Sequence, residues 1–315
     1  MALSVDDINA VSHQYFNKSL KQQAYQKSPF WVKLQKLNHI KANGGTKVHI
    51  PIRYASFGKA DAVAARQQVT FETKETRTAA IFDWKYYTVP QQFAWDEDVQ
   101  NSGSGKIVSL LKDKTNEIRQ DMEDRFATDL YVTNPNGNGI IALVVGNDAG
   151  DDYGGIAVSD AANWKSFSED TSTTELVLYG SGSISEAIAV TTFGTDYPDF
   201  HLTTLKLAAK FESLIEPQKR YADKEMADAG FRNTTFHGAP VFGDYHCTAK
   251  LWLGLAIDTW SIMVHPKYDM KMSDWFDLTP SGHPNALGRV CSWTGVVATD
   301  CRRPNLKFTV LDPTI

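Results

Sequence analysis

The stretch "SGSGKI", residues 102–107, sets a lysine behind a glycine-rich turn, as a phosphate loop does when its backbone N–H groups cradle a nucleotide. Such a loop needs glycine where Gln100 stands and serine or threonine where Ile107 stands, so these residues read as a linker that runs into a helix. "GSGSIS", 180–185, fails as a serine nucleophile elbow because Ile184 holds the place of the closing glycine. "DAGDD", 148–152, opens like a calcium loop. It lacks the alternating oxygen ligands, and Ser159 stands where a bidentate glutamate is needed. His246 and Cys247 are neighbours, and adjacent side chains of a strand point to opposite faces. The eight histidines never recur at i, i+4 on a predicted helix, which argues against a metal site. Asp121, Glu123 and Asp124 read as the solvated face of a helix. No nucleophile, base and oxyanion donors converge. The expectation is a protein that is not an enzyme and holds no cofactor or metal.

Composition narrows the class further. Hydrophobic residues make up 42% and charged residues 22%, ordinary values for a globular chain. The 315 residues can fill one large core or two modest ones. The net charge is −5, and no run of Lys and Arg is dense enough for a nucleic-acid stripe. Cys247, Cys291 and Cys301 form an odd set without CxxC spacing, as expected of reduced thiols in a cytosolic chain. The first residues, "MALSVDDINAVSHQYFNKSL", lack the cationic start and apolar core of a signal peptide. No apolar run approaches the ~20 residues that span a bilayer.

The elements follow from spacing. Residues 1–45 read as a short helix near 5–26 and then an extended arm, whose Tyr15, Phe16, Phe30 and Trp31 need a surface to cover them. "TKVHIPIRYAS", 46–56, alternates: Val48, Ile50, Ile52 and Tyr54 share one face, with Lys47, His49 and Arg53 on the other. It leads through a small-residue tip (Gly58, Ala60, Ala62, Ala64, Ala65) to a return that is polar from 70 to 78. A ribbon this polar cannot hold itself against a core, and an isolated two-stranded ribbon is marginal. From 105 to 133 a helix is predicted. Ile107, Leu110, Leu111, Ile118, Met122, Phe126 and Leu130 form its stripe, Ser104 its cap, and Asn134, Pro135 and Gly137 its stop. Two further helices are expected in "SISEAIAVTTFG" and "TLKLAAKFESLIEP", and a strand in "DFHLTT". Strands dominate from 231 onward, in "TWSIMVH", "DMKMSDWF", "RVCSWTGVVAT" and "NLKFTVLD". The class is α+β, with helices in the middle and strands at both ends.

This order of elements resembles the major capsid proteins of tailed bacteriophages, the Hong Kong-97-type fold. Local segments carry the likeness. "PDFHLTTLKLAAKF" is similar to that family's strand-then-helix step. Phe236, Gly238, Pro240, Val241 and Asp244 resemble its aromatic, Gly, Pro-Val and Asp pattern. "GGIAVSDAANWKS" and "VVATDCRRPNLKFTVLD" resemble its Gly-Gly-Ile with later Trp and its closing strand. The likeness covers most of residues 45–313.

The resemblance implies an N-terminal arm (1–45), an extended hairpin loop (46–90), a peripheral domain (91–149) with a spine helix (105–133), an axial domain (150–285), and returning strands of the peripheral domain (286–315). It implies that the loop lies across a neighbouring subunit, with Arg53, Lys59, Arg66, Glu72, Lys74, Glu75 and Arg77 as contact surface. Tyr15, Phe16, Phe30 and Trp31 would pack on a neighbour as well. Lys59 and Lys74 are available for a lysine–asparagine cross-link of the kind some relatives form. The implied role is a structural subunit assembling as pentamers and hexamers into an icosahedral head around double-stranded DNA. Its implied place is the virion capsid, built in the host cytoplasm. A separate scaffolding protein, a portal and a decoration protein are the expected partners, with no membrane. Two alternatives stay open: an encapsulin-like compartment shell, and a cytosolic α+β enzyme or binding protein.

Overall fold

In the computed structural model the described residues are 28–42, 44–55, 62–68, 71, 73–93, 104–132, 136–150, 152–159, 164–171, 174–215, 233–281 and 286–310. The predicted helix at 5–26 lies outside them.

Where an extended arm was expected, Pro29–Lys36 forms helix α1. Proline at its first position lacks only an N–H that would have no partner there. Phe30, Trp31 and Leu34 recur on one side of the helix and are fully buried. Trp31 meets Phe126 with ring centroids 5.6 Å apart, and Phe30 meets Trp260 edge-on at 6.0 Å. These aromatics belong to the chain's own core, which corrects the expectation that they pack on a neighbour. Strand β1, Ile40–Ala42, follows and pairs in parallel with a strand more than two hundred residues away.

Among the described residues, the strands form two six-stranded sheets and one two-stranded ribbon. The ribbon is β2 (Lys47–Arg53) with β3 (Arg77–Asp83). Strand β4, Lys85–Phe93, leaves the ribbon and pairs along its whole length with β13, Leu287–Thr299. So the hairpin loop expected over 46–90 ends at Asp83. Beyond β13 the first sheet continues through β10 (Trp260–Val264) to β1, and the short strands β11 (Lys271–Met272) and β12 (Phe276–Asp277) also pair with β13.

The second sheet has the order β5 (Phe167–Thr171), β14 (Leu306–Val310), β9 (Leu251–Leu255), β6 (Phe200–Thr204), β8 (Ala239–Asp244), β7 (Asn233–Phe236). The sheets therefore divide the chain differently from the expected segments. β10, β11 and β12, assigned to residues 150–285, join the first sheet. β14, assigned to the closing segment, joins the second. Both β9 and β10 are buried throughout, so pattern alone could not say that the chain changes sheets between them.

Helix α2, Ser104–Asp129, runs 26 residues or about 39 Å at ~1.5 Å per residue. It starts at the residue expected to cap it and stops four residues before the expected end at 133. Ile118, Met122, Phe126 and Leu130 are buried as the spacing predicts, against α1 and the first sheet. The four-residue helix α3, Leu143–Gly146, follows. Helices α4 (Ile184–Thr191) and α5 (Leu205–Leu214) cover the second sheet; Ser183 Oγ and Thr204 Oγ1 accept from Glu186 N and Leu207 N and so cap them.

Candidate assembly surfaces

The β2–β3 ribbon changes character along its length. At its base Val48, Ile50, Ile52, Ala80 and Phe82 form one buried face against Tyr153, Trp164, Met263 and Val296 of the same chain. Ile81 N donates to Gly154 O at 2.8 Å. Gly154 sits at φ +64°, and a Cβ there would lie 2.6 Å from Ala80 Cβ, so glycine lets the ribbon seat. Trp84 Nε1 donates to Gly45 O at 2.9 Å, and Lys47 pairs with Asp83 at 2.9 Å. The expectation that the ribbon cannot hold itself against a core is therefore corrected for its base. Alternate apolar residues on each strand supply a full face once the strands pair.

Half-buried Tyr54 packs against that face and is its last described member. Tyr54 makes the last rung: its N donates to Thr76 O at 3.2 Å and its Oη to Glu75 O at 3.2 Å. At the tip Gln67 N donates to Ala64 O at 3.0 Å, and Gln67 Oε1 accepts from Ala64 N at 3.0 Å. Arg66 holds φ +76°, a region that costs a residue with a Cβ. Phe71 is 94% exposed and Val63 53%.

Of the residues expected to make contacts, Arg53, Arg66, Lys74, Glu75 and Arg77 all lie on this ribbon with exposed side chains. Lys59 and Glu72, like Tyr15 and Phe16, fall outside the described residues. Arg53 and Arg77 face each other across the ribbon, while Arg66 sits at its far end. Phe71 was missed; a lone phenylalanine within a Thr, Glu and Lys stretch was the available signal.

A second exposed surface lies over the second sheet. Val177, Tyr179, Val190, Phe193 and Tyr197 are large apolar side chains left in solvent. Phe193 and Asp196 close a tight turn by mutual backbone bonds of 2.8 and 3.1 Å. The Arg303 guanidinium stacks 3.9 Å from the Phe193 ring centroid. Ser185 Oγ lies 3.0 Å from His237 Nε2, beside Tyr179. His237 and Gly238, at φ +50° and +85°, form the tight turn between β7 and β8.

Buried polar residues hold these surfaces in place. Asn305 Oδ1 accepts from Ala256 N and Trp260 Nε1, both at 2.9 Å, where the chain crosses from one sheet to the other. The Arg302 guanidinium donates to the carbonyls of Gly146, Trp164 and Asp148 around the C-terminal end of α3. Asp244 accepts from Tyr131 Oη at 2.8 Å and Ser28 Oγ at 3.3 Å, which ties α1 and the end of α2 to β8. Asp129 accepts from Tyr87 Oη at 2.6 Å. Burial and that carboxylate push the Tyr87 hydroxyl far above its ordinary range. Apolar periodicity gives no sign of such residues.

Several of the residues first tested for chemistry have structural partners. Asp148 bonds Lys307 and Gly150 N. Burial, the largest single influence, would raise its carboxyl, but the hydrogen bonds from Lys307, Gly150 N and Ser168, with the Lys307 charge, together outweigh it and hold the carboxyl below the usual range. Cys247 Sγ faces the carbonyls of Thr248 and Leu251 at 3.7 and 3.9 Å. Asp121 and Asp124 are exposed as expected, whereas Glu123 is buried. His201, fully buried, accepts from Trp252 Nε1 at 3.3 Å through Nδ1; burial lowers its pKa to about 3, so it stays neutral. Among the described residues no group of three or more His, Cys, Asp or Glu is placed to hold a metal ion.

No protein-family model and no curated protein matches the sequence. Solved structures do match the fold. A chain of the cyanophage A-1(L) capsid asymmetric unit superposes with a TM-score of 0.63 over 98% of this chain and 96% of that one, at 15% identity. An encapsulin complex from Synechococcus elongatus gives 0.60 over 91% and 89%, at 10% identity. A chain of Mycobacterium phage Bobi gives 0.55 over the full length of both, at 13% identity.

Proposed function

We propose that this chain, whose mixed α+β fold is that of the tailed-phage major capsid proteins, is itself the subunit of a phage head. In this reading it assembles as pentamers and hexamers into an icosahedral shell around double-stranded DNA. The observation that carries it is the full-length likeness to a capsid subunit, joined to a ribbon whose outer half has no core of its own. α2 then serves as the spine helix. The first sheet forms most of the peripheral domain, and the second sheet with α4 and α5 the axial domain.

The outer ribbon would lie on a neighbouring subunit through Arg53, Lys59, Arg66, Glu72, Lys74, Glu75 and Arg77. Tyr15 and Phe16 are the remaining candidates for arm packing. The role is structural, with no catalysis; scaffolding, portal and decoration proteins are its proposed partners. The virion capsid is its location, after assembly in the host cytoplasm. With a net charge of −5 the shell would contain DNA without reading its sequence.

The encapsulin likeness supports a second reading, a compartment around a protein cargo. Negative-stain microscopy of the expressed chain, with and without the genes beside its own, tests both. Closed particles are expected, and a stable monomer under every assembly condition overturns the shell. Particles filled with nuclease-resistant DNA favour the head, and particles holding protein favour the compartment.

A further inference from the structure

Among the described residues, the ribbon and the first sheet each end in a strand that is paired on one side only. Backbone bonds fix which residues face outward there. In the ribbon, Tyr54 and Thr76 form a hydrogen-bonded rung, and Ile81 N donates away from β2 to Gly154 O. Rungs alternate in an antiparallel ladder. His49, Pro51 and Arg53 therefore turn their backbone nitrogens to the free edge of β2. On β13, Val290 and Thr294 donate away from β4, to Ser273 Oγ and Tyr268 O. The odd residues of β13 must then serve β4, which leaves Tyr86, Thr88, Pro90 and Gln92 outward on β4. Lys114 Nζ donates to Gln92 O at 3.0 Å from outside the sheet, as this alternation requires.

Both edges thus carry a proline inside the outward-facing set, flanked by outward residues on either side. Proline has no N–H to offer an added strand, and its ring obstructs one. On β2 the outward set also holds the charged Lys47 and Arg53, and a charged edge resists pairing too.

We propose that Pro51 and Pro90 bar these two edges from pairing with a strand of a second copy of the chain. The inference rests on the reading above, in which many copies crowd together. A shell subunit reaches high local concentration while its outer ribbon is still uncovered, and an open edge at that stage would template aggregation.

The test compares the soluble wild-type subunit with Pro51→Val, Pro90→Val and the double variant. Expected are unchanged circular dichroism and thermal midpoint, with at least a ten-fold rise in thioflavin-positive aggregate for the double variant. In the Pro51→Val background, His49→Pro moves the proline two residues along the same outward set and should restore the low level for that edge. Aggregation at wild-type levels in both single variants and the double variant overturns the proposal. So does a rise that His49→Pro leaves unchanged. If one valine variant unfolds, the other decides for its own sheet by the same readout. Microscopy of wild type tests the shell separately: aggregation-prone variants of a chain that builds no shell would keep this proposal and remove that reading.

Discussion

Residues 29–42 carry Phe30 and Trp31 among lysines and polar residues, residues 62–77 carry Phe71 among charged and polar ones, and neither contains a long apolar run. Phe30 and Trp31 lie inside the core and Phe71 in solvent. The difference is spacing. Phe30, Trp31 and Leu34 come together on one side of a single helical turn and can enter the space between α2 and the first sheet. Phe71 has only polar residues at helical spacing (Gln67, Gln68, Lys74, Glu75), and among the described residues none gathers around it. An aromatic side chain is buried within a subunit when its neighbours in sequence help to bury it. When they do not, it remains for another surface.

The sharpest way to break this comparison is Trp31→Ala. A fully buried tryptophan that stacks on Phe126 should cost the subunit about 3–5 kcal/mol when truncated, read from denaturant unfolding. A loss near zero would mean that residues 29–36 do not sit in the core.

Replacing residues 57–76 with a short Gly-Ser turn should do the reverse. Closing a shorter loop changes stability by only about 1 kcal/mol, so helix content and midpoint should hold. Closed-shell formation should fail under the microscope. An unfolded deletion whose folded remainder still builds normal shells would show that the outer ribbon belongs to the subunit.

A smaller effect is expected of Lys74→Ala, which removes one exposed charge and should leave shells intact. If Lys74 forms a covalent cross-link, denaturing gels of wild-type particles will show ladders that the variant lacks.

The smallest effect concerns pH. Burial raises the carboxyls of Asp199 and Asp300, which flank the crossover at 255–260. Their folded pKa values exceed the unfolded value of about 3.9. The charged forms therefore cost the fold stability at neutral pH, and that cost is relieved as pH falls through the folded pKa. Asp199→Asn with Asp300→Asn should flatten the stability profile in that mildly acid window. An unchanged profile would mean that these groups titrate as they do in the unfolded chain.

Much of the local structure was legible. Helical spacing marked α2, alternation marked β2, and Pro217 marked a limit just beyond α5. The ribbon's charged residues were read as contacts with a neighbouring subunit; those described have exposed side chains. The seating of the ribbon's base was not legible, because it depends on Gly154 and Trp164, far along the chain. Nor were Asn305, Arg302 and Asp244, since a polar residue in sequence does not reveal whether distant carbonyls and N–H groups will surround it.

From the sequence alone came the α+β class, the helix stripes, the strand faces and a likeness of element order. These depend on periods of two and 3.6 residues, which short stretches carry by themselves. The tertiary structure decided that α1 enters the core, that the chain changes sheets between β9 and β10, and that the ribbon is half core and half exposed surface. Each of those depends on which remote segment supplies the opposing face, and short-range periodicity holds no information about remote partners.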